Sequence, residues 1–216
     1  ILHSVNGLQI RQIGGLGNPV SVSIRGSSSK QVQLYIDGQL VNDSQFGGFD
    51  LNQIPTEHIQ SIEISKNQAI GAGSTPIGGV IRINTYNPNK DKLKLSLSLG
   101  SFNHKQLNLL YNKAFQSNNL SVGGSYLKTD NDYEYPVPQS FTSSNESSIE
   151  PLGNNQFEKK NVYLNNQLSF GAHKIRITAQ YNEQEKALPN YQNDTPENAS
   201  SLSSDTWRLS YRHNIY

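Results

Sequence analysis

The sequence predicts a small α+β domain followed by the antiparallel strands of a transmembrane β-barrel. Three observations carry that prediction. The first half, to about Asn87, is glycine-rich and mixes helical and extended signals. The second half alternates apolar and polar residues in the dyad pattern of a two-faced sheet. Its connections are either tight turns or long polar loops.

In the first half, Ile1 to Gly7 reads as the last turn of a helix closed by glycine. Val20, Val22 and Ile24 share one face of a strand ending at Arg25. Asp37-Gly38 stands between the apolar runs LYI and QLV, a two-residue hairpin signal. Pro55 opens a short helical turn through His58. Ile59 to Ile64 and Val80 to Thr85 make two further strands, and Gly71, Gly73, Gly78 and Gly79 mark tight turns.

In the second half, Leu93, Leu95, Leu97 and Leu99 alternate with Lys94, Ser96 and Ser98. Leu107, Leu109 and Tyr111 continue the pattern, as do Leu120, Val122 and Tyr126. Val162, Leu164, Leu168 and Phe170 face away from Tyr163, Asn165, Gln167 and Ser169; Ile175 to Tyr181 and Trp207 to Ile215 repeat the arrangement. A soluble sandwich also alternates, so the connections decide. Gln116 to Asn119 and Gly171 to His173 are tight, whereas Asp130 to about Glu158 and Gln184 to Asp205 are long and polar. Outer-membrane barrels have short turns on one side and long loops on the other. Tyr133, Tyr135, Tyr181, Tyr211 and Tyr216, near strand ends, suit an aromatic girdle.

Composition narrows the function. The chain has 216 residues, a formal net charge of +1 and 16% charged residues, which leaves no basic footprint for nucleic acid. With no cysteine there is no disulfide, thiol nucleophile or cysteine zinc site. Mean hydropathy is −0.62, and no apolar run reaches the roughly 18 residues of a membrane helix. Position 1 is Ile, not Met, which predicts that the sequence begins inside a longer protein or after processing.

Three stretches of the first half occur in a distinctive order: GLQIRQIGGLGNPVSVSIRG (Gly7 to Gly26), VQLYIDGQLVN (Val32 to Asn42) and IPTEHIQSIEISKNQAIGAGSTPIGGVIRINTY (Ile54 to Tyr86). Together they resemble the plug domain of TonB-dependent outer-membrane receptors, closest to the cobalamin and siderophore branches. The resemblance implies a plug over 1–87, its N-terminal part missing, and the first part of a barrel over 88–216. About six strands are legible, whereas plugged transporters have about 22, so the chain reads as a fragment. A signal peptide and coupling segment are expected upstream, and the remaining strands downstream. Two departures stand out: Lys66-Asn67-Gln68 replaces the usual Arg-Gly-Pro, and Ala72 stands where Tyr is common.

The resemblance also assigns roles. Arg25 corresponds to an arginine that pairs with barrel carboxylates and locks the plug; a guanidinium suits this because it makes forked bonds. Lys66 is the second lock cation. Leu16, Gly17 and Asn18, and Ser44, Gln45, Phe46 and Phe49, lie on two loop tips implied to touch substrate. Read without the resemblance, Arg25 is a solvated strand-end residue and the tips are glycine-rich turns. Gly71 to Gly79 lacks the lysine of a phosphate loop. Asp130, Asp132 and Glu134 lack calcium-loop spacing, and the five histidines show no ligand grouping. No metal, cofactor or catalytic residue is predicted.

The expectation is a monomeric, non-enzymatic receptor in the outer membrane of a Gram-negative bacterium. It imports an iron-siderophore, haem or cobalamin-class ligand with energy supplied through TonB. The alternative is a secreted or surface β-rich module binding glycans or acting in adhesion, with its leucines packed into a core. The two differ in where those leucines lie.

Overall fold

The computed structural model describes residues 6–12, 15–42, 47–54, 56–66, 77–85, 91–136, 149–189 and 199–216. The chain divides into two compact units, Ile1–Asn89 and Lys90–Tyr216.

The first unit begins with an antiparallel hairpin of β1 (Leu8–Gln12) and β2 (Val20–Ile24), with Leu8 opposite Ile24 and Gln12 opposite Val20. A four-stranded sheet follows, formed by β3 (Val32–Ile36), β4 (Gln39–Leu40), β5 (Ile59–Ser65) and β6 (Gly79–Thr85) in the order β4-β3-β6-β5. Strands β3 and β6 run parallel, and β5 pairs antiparallel to β6. The Asp37-Gly38 turn is present as expected, with Ile36 opposite Gln39 and both turn residues at positive φ, +50° and +81°. Asp37 is also a clamp: its carboxylate accepts hydrogen bonds from the Thr85 amide at 2.9 Å and the Thr85 hydroxyl at 2.5 Å. That fixes the hairpin to the end of β6.

The helical share of this unit is smaller than expected. Among the described residues it consists of three 3-10 turns, at Ser29–Gln31, Leu51–Gln53 and Thr56–His58. The expected turn through His58 is the last of these; Pro55 lies outside the described residues. Of the expected helix end only Asn6 and Gly7 are described, and Gly7 has φ +78°. The core gathers Val22 and Ile24 from the hairpin, Val32, Leu34, Ile81 and Ile83 from the sheet, and Ile54. Full burial of each such side chain stabilises by about 1.5–3 kcal/mol. At Gly79 the backbones approach so closely that a Cβ would lie 2.6 Å from the Ser65 carbonyl oxygen.

The second unit is an antiparallel sheet of six strands: β7 (Lys92–Gly100), β8 (His104–Ala114), β9 (Asn118–Thr129), β12 (Phe157–Phe170), β13 (His173–Leu188) and β14 (Ser200–Ile215). Its order, β7-β8-β9-β12-β13-β14, follows the chain. Two corrections to the sequence reading concern the long connections. The first contains a small hairpin of β10 (Glu134–Pro136) and β11 (Ile149–Pro151). The second is shorter than expected, because β13 runs on to Leu188 and β14 starts at Ser200. The extra residues, such as Gln184 and Glu185 with their partners Ser204 and Ser203, are polar on both faces. Ladder pairing holds them, so alternation does not reveal them.

The two faces of this sheet are inverted relative to a soluble protein. Leu95 is 67% exposed and Leu209 74%, whereas Asn112 is 0% and Asn161 1% exposed. Leu93, Leu97, Leu99, Leu107, Val162, Trp207 and Tyr211 are exposed with the first pair. Asn108, Ser121, Asn165, Gln167 and Asn182 are buried with the second. In water each exposed leucine forgoes about 1.5–3 kcal/mol of burial. A sheet arranged this way is built for an apolar surrounding.

Candidate functional site

Two loops of the first unit meet where the sequence places its ligand tips. The turn 15–18 is closed by the Asn18 amide donating to the Gly15 carbonyl at 3.3 Å, with Gly17 at φ +83°. Leu16 is exposed at this tip. The other loop leaves β4 and returns through Gly47 to Asp50. Asn42 ties its ends: its amide nitrogen donates to the carbonyls of Val32 and Gly47, both at 2.8 Å, and its oxygen accepts from the Leu34 amide at 2.7 Å. Ser44, Gln45 and Phe46 lie outside the described residues. Phe49 is half-buried and packs against the core, so its ring serves the core as well as the loop.

Asp50 and Asn52 join the two loops. One Asp50 oxygen accepts from the Val20 amide at 2.9 Å and the Asn52 amide at 3.0 Å; Asn52 in turn donates to the Asn18 carbonyl at 2.6 Å. The tips therefore form one surface that includes Leu16, Gly17, Asn18 and Phe49. Sequence reasoning missed Asp50 and Asn52. The signal was present, since Asp50 is the N-cap of the Leu51–Gln53 turn.

Arg25 and Lys66, the residues expected to lock the plug, lie at the opposite end of the β1–β2 hairpin, roughly 13–17 Å away at a strand's rise per residue. Arg25 follows β2, exposed, with φ +53°, a conformation costing a non-glycine residue about 1–2 kcal/mol. Its amide donates to the Gly7 carbonyl at 2.7 Å. Lys66 follows β5, and its ammonium donates to the Asn6 carbonyl oxygen. A Cβ placed on Gly7 would stand 3.6 Å from Lys66 Nζ and 3.8 Å from Arg25 Cγ, so the Lys66 ammonium and the aliphatic stem of Arg25 both flank Gly7. The polar face of the six strands carries no Asp or Glu among its described residues.

Elsewhere the residues weighed for other chemistry have plain roles. Asp130 accepts from the Asn103 side chain at 3.0 Å. His173 and His213 share a 2.9 Å ring-nitrogen contact on adjacent strands, with Phe170 stacked on His173. Among the described residues, no group of three or more His, Cys, Asp or Glu could hold a metal ion.

A glycine-rich α+β unit followed by a sheet with an apolar outer face is the element order of a plugged barrel receptor. The family model described as TonB-dependent Receptor Plug Domain matches residues 1–80. Among curated relatives, the vitamin B12 transporter BtuB of Vibrio vulnificus is 36% identical over 134 residues, covering 60% of this chain and 22% of that protein. The vitamin B12 transporter BtuB of Vibrio cholerae is 34% identical over 144 residues, covering 64% and 23%. The chain thus spans under a quarter of the length of these relatives. Solved structures share the fold at low identity. The FrpB iron transporter from Neisseria meningitidis has a TM-score of 0.66 at 12% identity, covering 95% of this chain and 34% of that one. The copper transporter OprC has 0.65 at 15%, covering 97% and 30%.

Proposed function

We propose that the protein is an outer-membrane importer of a scarce nutrient in a Gram-negative bacterium, driven through TonB. The first unit is the plug, and the six strands are a share of the barrel around it. Arg25 and Lys66 hold the plug by pairing with barrel carboxylates. Leu16, Gly17, Asn18 and Phe49, with Ser44, Gln45 and Phe46, meet the ligand. The ligand is of the iron-siderophore, haem or cobalamin class; the relatives named for vitamin B12 support the cobalamin end of that range.

The observation that carries this reading is the inverted sheet. From Phe170 to Lys160 on β12 the chain advances about 33 Å at a strand's rise. Tilted by about 45°, that spans about 23 Å, close to the roughly 25 Å height of a barrel's apolar band. One border is marked by Tyr181 and Trp207, with ring centroids 4.4 Å apart, and beyond it Lys160 meets Glu158 and Glu183, each at 3.2 Å. The other border carries Phe170, His173 and His213. A secreted glycan-binding or adhesive module would bury its leucines; here they are exposed, and the relatives give that alternative no support.

The test is to express the full-length protein and follow its location and uptake. Recovery in detergent-extracted outer membrane with heat-shifted gel mobility, and nutrient uptake that stops without TonB, are expected. Full-length material soluble without detergent would defeat the proposal.

A further inference from the structure

His173 and His213 are 40 positions apart in the chain, and the pairing of β13 with β14 makes them neighbours. His173 stands opposite Ile215 and Ile175 opposite His213, so the two imidazoles are diagonal partners on one face of the sheet. Nδ1 of His173 lies 2.9 Å from Nε2 of His213, with ring centroids 5.1 Å apart and planes 30° from parallel. Phe170, the last residue of β12, stacks on His173 with centroids 5.3 Å apart and planes at 28°. Three rings from three strands thus hold two ring nitrogens together at an exposed strand end.

The pair interrupts the apolar series of its face. Ile175 and Ile177 of β13 share that face, as do Leu209, Tyr211 and Ile215 of β14. Lys174 and Arg212 fall on the opposite face by alternation. A further apolar side chain at either histidine position would continue the band, whereas imidazole adds a nitrogen lone pair. Neutral imidazole is the commonest metal ligand and suits zinc, copper and nickel. Distance discriminates among these ions. Two nitrogens bound at about 2.0–2.1 Å lie about 2.8–3.0 Å apart at a right angle and about 3.3–3.4 Å apart at a tetrahedral angle. The observed 2.9 Å matches the right angle, which belongs to tetragonal copper(II) and nickel(II) sites and not to zinc. Copper(II) also stands highest in the affinity order of divalent ions for such ligands.

We infer that His173 and His213 form a two-histidine site for a tetragonal divalent transition-metal ion, copper(II) above all, which clips β13 to β14 beside the Gly171 turn. Among the described residues no third ligating side chain joins the pair, so water completes the coordination. Binding replaces the ring-to-ring hydrogen bond. The proton on the donating nitrogen passes through water to the other nitrogen of the same ring, which leaves both facing lone pairs to the ion. The inference goes beyond the importer reading: it stands on the β13–β14 pairing and holds whatever nutrient is imported.

The test uses the purified full-length receptor, with copper(II) alone as the probe, and the variants His173→Gln and His213→Gln. Wild-type receptor should bind one more equivalent of copper than either variant. Its electron paramagnetic resonance spectrum should contain a tetragonal signal with two imidazole nitrogens that both variants lose. Copper should also raise the melting temperature of the wild type more than that of either variant. A measurement on the wild type alone covers a variant that folds poorly: histidine modification by diethylpyrocarbonate, mapped by mass spectrometry, should slow at His173 and His213 together when copper is added. Equal copper binding in the three proteins overturns the inference, because the metal is then held at other groups. Unchanged modification of the two histidines, or tighter binding of zinc than of copper at the pair, overturns it as well. None of these readouts depends on uptake, so their failure leaves the importer reading untouched.

Discussion

Arg25 and Lys66 approach the same α-carbon: a Cβ on Gly7 would lie within 4 Å of both side chains. Gly7 thus lies between the Lys66 ammonium and the aliphatic stem of Arg25, and carboxylates placed opposite would pair with either cation. Arg25→Ala in the full receptor should therefore loosen the plug and raise leakage of large solutes. Arg25→Gly sharpens the test, because glycine relieves the φ of +53° and stabilises the turn by about 1 kcal/mol while removing the cation. Leakage that rises in a receptor of equal or greater thermal stability assigns the effect to charge. Unchanged permeability in both variants counts against the lock.

Asp50 bridges the two tips through the amides of Val20 and Asn52. Asp50→Ala leaves both donors without that acceptor and removes an N-cap, a loss of about 1–2 kcal/mol. The two tips should then move independently, so ligand affinity should fall more than stability alone predicts. Thermal unfolding and ligand titration of the same variant check this. A shift in melting temperature with unchanged affinity would show that the bridge serves folding only.

What the sequence revealed, and what it hid, divides along physical lines. The Asp37-Gly38 hairpin was legible because its turn demands positive φ at both positions. The sheet faces were legible because leucine alternates with lysine or serine through β7, and with asparagine in β8 except at Leu110. Strand ends past the apolar band were hidden, since polar residues such as the Lys160–Glu183 pair replace the alternation there. The small hairpin of β10 and β11 was hidden because its segments are three residues each and lie within a polar connection. For the site, Arg25 and Lys66 stood out by resemblance. Their convergence on Gly7 did not, because it depends on β1 and β5 arriving at one end of the unit.

Asp91, just before β7, gives a pH-dependent prediction. A hydrogen bond from Lys113, then one from the Ala114 amide at 2.9 Å, holds its carboxyl below the ordinary value. A depressed folded pKa contributes stability that is present above the unfolded pKa and lost as pH falls through the folded one. The pair is exposed, so the effect should be small and weakened by salt. Asp91→Asn should therefore lower stability slightly at neutral pH, with the two proteins converging as pH falls below the usual carboxylate range, so that the variant's acid limb is flatter. An acid limb identical in the two proteins would remove Asp91 from that account.

The strongest prediction contrasts neighbours on one strand. Leu95 and Ser96 are adjacent on β7 and point to opposite faces, opposite Leu109 and Asn108 respectively. If the leucine face meets hydrocarbon, Leu95→Arg places a cation at mid-band depth and should destabilise insertion by about 2–4 kcal/mol. Ser96→Arg enters the face that already carries Lys92 and Lys94 and should insert normally. In a soluble protein the order differs: Leu95 is two-thirds exposed, and arginine there would be harmless. Heat-modifiable mobility of the two full-length variants, isolated from outer membranes, separates the cases. Normal insertion of Leu95→Arg would sink the membrane assignment, and with it the barrel, since no other feature of this sheet requires its leucines to face outward.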